Sequence, residues 1–543
     1  MAVVAGALLR VPLLLRHPVQ DELYVFKDAL KFVSAHTLVP TQFFYPPLFG
    51  YLITPPTVAT YVVLKAIGQV ATPWQFFYLT SSLDSALPLV GARLVSLVSG
   101  VLTVAITYMA ARVTGSRTAA LVAATAIVVS PLHVRYSGVA KHDVALTLAS
   151  ALVLYWCFRA LQSDRPFRAL TVAACMVGIA GAVKYTGVFA ACPLLATCVL
   201  LARQGKVSGR TACAWLLALG SASLLTFLIL SPAVVESPLP FLAGLMEQRE
   251  HTMAGHLGAS GPLYSTIIRR FIAEDSTLWF VFAVGLILAA RRRTAQDVVV
   301  ASIIVPSFVY IGGLALQFHY YLLFIYPALA VAAGRVIDDV SAMASWRWVV
   351  RGSVCACLVL PCATAVRWSV EAFELDNRWC AYDWIQREIP AGTRVVVDEY
   401  IPVMLSDQVR AEIPTAPMSV VSRGVRSMRT YDTVPIVFDL NWLRRAPADY
   451  LVTSSDDYDR YFVTDEPRTD GALRSEFVAR RESYRSLLTV PQQIGWSLVR
   501  RFEAGTGPTV LVFCRKCTGS EVSGSPGGHS RGHDLLSVLR TGT

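Results

Sequence analysis

Charge is what this chain has least of. Only 16% of its 543 residues are Asp, Glu, Lys or Arg, against about a quarter in soluble globular proteins. With 54% hydrophobic residues and a mean hydropathy of +0.51, that scarcity excludes an ordinary soluble domain. The N-terminus also lacks a small-residue cleavage site ahead of a polar start, so no cleavable signal is evident. No internal repeat is visible. The net charge is +11, but the basic residues do not cluster on one soluble face, which excludes a nucleic-acid partner. Eight of the eleven cysteines, Cys157 to Cys362, fall in apolar runs, where they act as small apolar residues. The CxxC, Cys514 to Cys517, fits an external disulfide or free thiols equally well and a zinc site less well, since that needs two further ligands and His529 and His533 are weak candidates.

What is present is a series of apolar blocks long enough to cross a bilayer, which takes about 20 residues per helix. They run over 90–111, 118–135, 144–162, 169–183, 185–202, 211–231, 276–290, 298–317, 320–336 and 348–367. With the first segment, 2–15, they predict about eleven spans and a polytopic α-helical membrane protein. Segment 2–15 is short and carries Arg10 and Pro12; a truncated first helix and a thin, tilted one both fit.

Basic residues orient the bundle. Cytoplasmic loops collect Lys and Arg. Every second loop is basic: Arg112/Arg117, Arg159/Arg165/Arg168, Arg203/Lys206/Arg210, Arg291–Arg293 and Arg335/Arg347. If these face the cytoplasm, Asp21-Glu22, Asp143, Lys184, the loop 232–275 and everything after about 368 lie outside. Residues 48–70 are apolar enough to cross, but a crossing there would break the alternation. Pro46, Pro47, Pro55 and Pro56 also disfavour a straight helix. The expectation is an external loop, 17–89, with helices lying at the interface.

The resulting organisation is a membrane domain over 1–367, a small α/β extracytoplasmic domain over 368–517, and a disordered Gly-, Ser- and His-rich tail over 518–543. In the α/β domain a helix over 380–388 precedes Pro390-Ala391-Gly392. Strands are expected at 394–397, 434–439, 449–453 and 509–514.

Because acids are scarce, their positions are informative. Asp21 and Glu22 are adjacent just past the first apolar segment. A carboxylate pair there must face water, a metal or a cation, which points to acid chemistry at a membrane surface and a lipid-linked substrate. The plainer alternative is a solvated cap, since acids suit a helix N-terminus. Asp143 also opens a span, where an N-cap is the alternative. Lys184 lies between two apolar runs with no acid beside it in sequence, so it needs a partner in the bundle or a phosphate outside. Lys141, His142, Arg93 and His319 sit at outer helix ends. Snorkelling would explain Lys141 and an aromatic belt would explain His319. His251 and His256 lie with Arg249 in the long external loop, within reach of an acceptor.

The order of these pieces resembles a known family. The acidic pair, Tyr45-Pro46-Pro47-Leu48, Arg93, Ser130-Pro131 ahead of Asp143, Gly181-Ala182-Val183-Lys184-Tyr185, and Phe318-His319-Tyr320-Tyr321 before Pro327 look like the GT-C membrane glycosyltransferases. The likeness is to the protein O-mannosyltransferases and the lipid A aminoarabinose transferase, over about residues 1–367. This chain has His319 where many relatives have Arg. The resemblance implies a sugar donor linked to polyprenyl phosphate, an extracytoplasmic protein, lipid or glycan acceptor, and a multi-pass protein of the cell (inner) membrane. It implies Asp21 as catalytic base with Glu22 and Asp143 in support. It places Lys184, Lys141, His319 and Arg93 at the donor phosphate, with His251 and His256 on the acceptor side. Relatives differ in metal use, so a divalent ion is open, but no spacing here demands one. A transporter or flippase would instead place ionisable residues in mid-span. A non-catalytic envelope assembly protein would leave the acidic pair without a role.

Overall fold

The computed structural model describes all residues except 1, 74–75, 77–85, 256–263, 342–346, 401–428, 430, 464–470 and 516–543. His256, Cys517 and the expected disordered tail lie outside the described residues. The chain divides into two compact units. One comprises Met1–Thr60, Leu89–Ala254 and Pro262–Phe373; the other comprises Tyr61–Pro88, Gly255–Gly261 and Glu374–Thr543.

The first unit is helical. Among the described residues, eight helices are long and apolar enough to cross a membrane, or nine if one bent pair is a single span. The expected count of about eleven is reached only by adding two shorter helices: Ala2–Leu15, and Leu278–Arg292 with its 15 residues. The bend lies inside the predicted 118–135 span, where Arg117–Val129 and Pro131–Ser137 meet at 59°. Pro131 cannot continue the ladder of N–H donors, and the Ser130 hydroxyl caps the new turn by accepting from His133 N at 3.2 Å. The 48–70 region contains a helix, Leu48–Ala66, with Pro55 and Pro56 inside it; it is not among the eight.

Small residues let the helices approach closely, as expected where lipid supplies no hydrophobic drive between them. A Cβ on Gly178 would lie 2.4 Å from Ser223 O, and one on Gly334 would lie 2.3 Å from Ala119 O. Arg10 is fully buried in the first helix and, among the described residues, meets no carboxylate. Its guanidinium donates to Gly6 O, Ile127 O and Ser137 Oγ and sits 2.7 Å from His133 Nδ1, so the charge is solvated by protein dipoles. Three other helix ends are tied by Asp297, which accepts from Arg292 and Arg335 and also closes a capping box with Thr294.

The second unit holds a five-stranded sheet in the order β2-β1-β3-β5-β4: β1 Arg394–Val397, β2 Asp432–Pro435, β3 Tyr450–Ser454, β4 Ser497–Phe502 and β5 Val510–Cys514. β1 pairs in parallel with β2 and β3, whereas β5 is antiparallel to β3 and β4. Alternate side chains build two cores. Val395, Val452, Val510 and Val512 pack with Ala381 and Ile385 of the Asn377–Glu388 helix. Val396, Leu451, Leu511 and Phe513 pack with Phe477 and Tyr484 of the Gly471–Thr489 helix and with Trp496. Three of the four predicted strands match closely, β2 begins two residues early, and β4 was not foreseen. Cys514 is disulfide-bonded.

At the carboxyl ends of β1 and β3, Asp398 and Asp457 are buried close enough to influence each other. Asp398 accepts from Thr453 Oγ1 and the Tyr484 hydroxyl, and Asp457 from Ser454 Oγ and Tyr400 N. Burial and then the neighbouring Asp398 charge push the Asp457 carboxyl above the usual range. A folded state that holds a proton longer than the unfolded chain loses stability as pH rises. The pair's contribution should therefore fall by up to about 1.4 kcal/mol per pH unit above the ordinary carboxylate range. Asp457→Asn should flatten this slope, measured by hydrogen exchange of β1 and β3 between pH 5 and 8. An unchanged slope would show that the pair does not hold a proton.

Candidate active site

Three carboxylates meet three cations at one end of the helical unit. The Gln20–Ser34 helix places Asp21 and Glu22 in its first turn. Successive helix residues point about 100° apart, so the two acids face different surroundings. Glu22 is fully buried and clamped by Arg93, whose Nε and Nη2 donate to its two oxygens at 2.8 and 2.6 Å. Val19 N and Ala140 N donate to Glu22 as well. Arg93 further donates to Leu14 O and Arg16 O. Asp21 is half exposed, with 51% of its side-chain surface accessible, and pairs with Lys141 Nζ at 2.6 Å. The Lys141 charge holds the Asp21 carboxyl below its usual range, against the opposing effect of burial.

The third pair closes a helical hairpin. Asp143 is in the first turn of His142–Gln162, and Lys184 follows the last turn of Pro166–Val183. Lys184 Nζ lies 2.7 Å from Asp143 Oδ1, and both side chains are buried. The N-cap alternative for Asp143 does not describe it: Lys141 is the cap residue, and no side chain caps there.

Tyrosines roof the lysines. Lys141 Nζ stands 3.7 Å from the centre of the Tyr320 ring, and Lys184 Nζ stands 4.7 Å from Tyr321 and 5.4 Å from Tyr45, within cation–π range. His142 is enclosed by the rings of Tyr45 and Phe49. A cavity of about 100 Å³ opens beside Lys184, with Tyr45, Tyr321, Arg249 and Gln248 in its wall. Asp143 Oδ2, His142 Nδ1 and His319 Nε2 are buried without a hydrogen-bond partner among the described residues, so part of the site's polar surface is unsatisfied.

The structure thus brings together Asp21, Glu22, Arg93, Lys141, Asp143 and Lys184. His319 stands slightly apart, T-shaped against Tyr136 and 3.7 Å from Glu274. His251 is exposed on the Pro238–Ala254 helix, whose Gln248, Arg249 and Thr252 face the cavity. Sequence reasoning passed over Tyr136 and Glu274. Glu274-Asp275 has the same signature as the first acidic pair, two acids beside an apolar run. Asp275 turns inward to accept from Ser130 Oγ and Tyr326, and Glu274 faces Arg135 and His319. Among the described residues no three His, Cys, Asp or Glu come together as a metal-ligand set; each acid of the cluster faces a cation.

Chemically, this is a half-exposed carboxylate paired with one lysine, and a second lysine in the wall of a cavity, at the ends of apolar helices. Residues 74–246 match the dolichyl-phosphate-mannose-protein mannosyltransferase family, a stretch containing Arg93, Lys141, Asp143 and Lys184. The fold is similar to that of ArnT from Cupriavidus metallidurans, solved in the apo state and bound to undecaprenyl phosphate. The apo structure shares 16% identity and a TM-score of 0.52, covering 94% of this chain and 96% of that one. It is also similar to the oligosaccharyltransferase of Archaeoglobus fulgidus, at 11% identity and a TM-score of 0.53, covering 93% of this chain and 80% of that one. No curated protein matches in sequence. The chain resembles the GT-C superfamily of membrane glycosyltransferases: a polytopic helical domain followed by a small α/β domain.

The Glu22–Arg93 and Asp21–Lys141 pairs should differ sharply in stability. Removing one partner of a buried pair strands the other charge and costs about 3–5 kcal/mol, whereas removing Lys141 leaves behind a half-exposed carboxylate that water can solvate. Arg93→Leu should therefore lower the thermal unfolding midpoint in detergent much more than Lys141→Met. Equal shifts would show that Glu22 is not the buried anchor.

Proposed function

We propose that this chain is an integral-membrane glycosyltransferase that moves a sugar from a polyprenyl-phosphate-linked donor to an acceptor on the extracytoplasmic side of the cell membrane. The observation that carries the reading is the lysine–carboxylate cluster beside a cavity at one end of the membrane helices. A transporter would keep its ionisable groups in mid-span. The undecaprenyl phosphate bound by the similar ArnT supports the donor class, and the alternating basic loops support the orientation.

The geometry supports the following roles. The acceptor hydroxyl oxygen attacks the anomeric carbon as the carbon–oxygen bond to phosphate breaks. The bonding pair leaves with the phosphate oxygen, and the hydroxyl proton passes to Asp21, the carboxylate of the cluster open to solvent. Lys184 and Arg249, both in the cavity wall, hold the phosphate with Lys141 and stabilise its growing charge. Asp143 orients Lys184. Glu22 and Arg93 fix the position of Asp21 without touching substrate. His319 flanks the phosphate side next to Tyr320, and His251 and His256 belong to the acceptor side.

Asp21→Asn preserves shape and removes the base. Its transfer rate from the donor lipid that co-purifies with the protein should fall about 10²–10⁴-fold, with the unfolding midpoint retained. Near-normal transfer would overturn the assignment. Single cysteines introduced near Asp21 and in the α/β domain should react with an impermeant thiol reagent from outside intact cells, and cysteines in the Arg291–Arg293 loop only after lysis. The reverse pattern would overturn the orientation and with it the site of reaction.

A further inference from the structure

Each lysine at this site is already taken by a carboxylate. A base held 2.6 Å from an ammonium accepts protons poorly, because protonation would sacrifice the pair. For Asp21 to act, Lys141 must leave it.

We propose that Lys141 is a positioning residue that holds Asp21 in the resting enzyme and passes to the phosphate of a polyprenyl phosphate ligand when it binds, releasing Asp21 as a base only in the donor-bound site. This rests on the glycosyltransferase reading given above.

The asymmetry of the two lysine pairs selects Lys141. If Lys184 left Asp143, a carboxylate with 3% of its side chain exposed would be stranded, and Asp143 Oδ2 already lacks a partner. That outcome is costly. If Lys141 leaves Asp21, water solvates a carboxylate that is already half exposed. Lys141 itself is nearly buried against the rings of Tyr320 and Tyr136, which suit a cation that changes partners without returning to bulk water. Lys184 approaches the same Tyr320 ring at 5.8 Å, so the phosphate that Lys184 meets in its cavity lies within a side-chain swing of Lys141. The consequence is order: donor lipid first, acceptor second.

The competition can be read without knowing the sugar. Undecaprenyl phosphate binding to the purified full-length protein in detergent is measured by calorimetry at pH 7 for wild type, Asp21→Asn, Lys141→Met and the double variant. Lys141→Met should bind about tenfold or more weakly, the loss of one charge-assisted hydrogen bond. Asp21→Asn should bind about tenfold more tightly than wild type, because the carboxylate no longer competes for the lysine. The double variant should bind like Lys141→Met, and Asp21→Asn should regain its advantage with Lys141→Arg. An Asp21→Asn affinity equal to or below wild type overturns the proposal. So does a gain that persists beside Lys141→Met, which would reflect the general field of the site. Absence of binding by all of these proteins would overturn the polyprenyl phosphate reading itself.

Discussion

The Glu22–Arg93 pair is the constraint on which the site depends. Two charges taken fully out of water survive only if their remaining hydrogen-bonding capacity is met, and here it is met from three stretches of chain. Glu22 accepts from Val19 N at the start of its own helix, from Ala140 N ahead of the His142–Gln162 helix, and from Arg93 in the Val90–Thr114 helix, while Arg93 gathers the carbonyls of Leu14 and Arg16. Asp21 and Lys141 are the immediate chain neighbours of two of these anchors. The half-exposed Asp21–Lys141 pair is therefore held in place by a pair that is fully buried.

The hairpin made by His142–Gln162 and Pro166–Val183 does the same for the other lysine. Its two helices meet the site with Asp143 at the beginning of one and Lys184 at the end of the other. Their ion pair both closes the hairpin and faces Lys184 toward the cavity. One arrangement of helix ends thus supplies two buried lysines, one held by a buried carboxylate and the other by a half-exposed one.

Much of this was legible in the sequence, and the limits are physical. Spans over 144–162, 169–183 and 211–231 stand out because a bilayer demands length and apolarity, which are local properties. The adjacency of Asp21 and Glu22 and the isolation of Lys184 are local too. The partners are not: Lys184 and Asp143 are separated by 41 positions and Arg93 and Glu22 by 71, and no periodicity reports such contacts. Nor does it tell which of two adjacent acids turns inward. Arg93 was read as a phosphate ligand because its helix-end position was visible, while its enclosure by Glu22 and backbone carbonyls was not. Strand β4 was missed because Arg500 and Arg501 interrupt its apolar pattern, which an edge position in the sheet tolerates.

The pairing of each acid of the cluster with a cation has a consequence for selectivity. A cluster of unopposed lysines would hold inorganic phosphate, nucleotides or any passing anion. Here a dissolved anion must compete with carboxylates fixed at contact distance. An anion tethered to a tail in the bilayer is different, since confinement beside the site raises its local concentration far above its bulk value. In the proposed transferase the ion pairs would therefore act as a filter, admitting the phosphate that arrives by way of the membrane and turning away the same chemical group arriving through water.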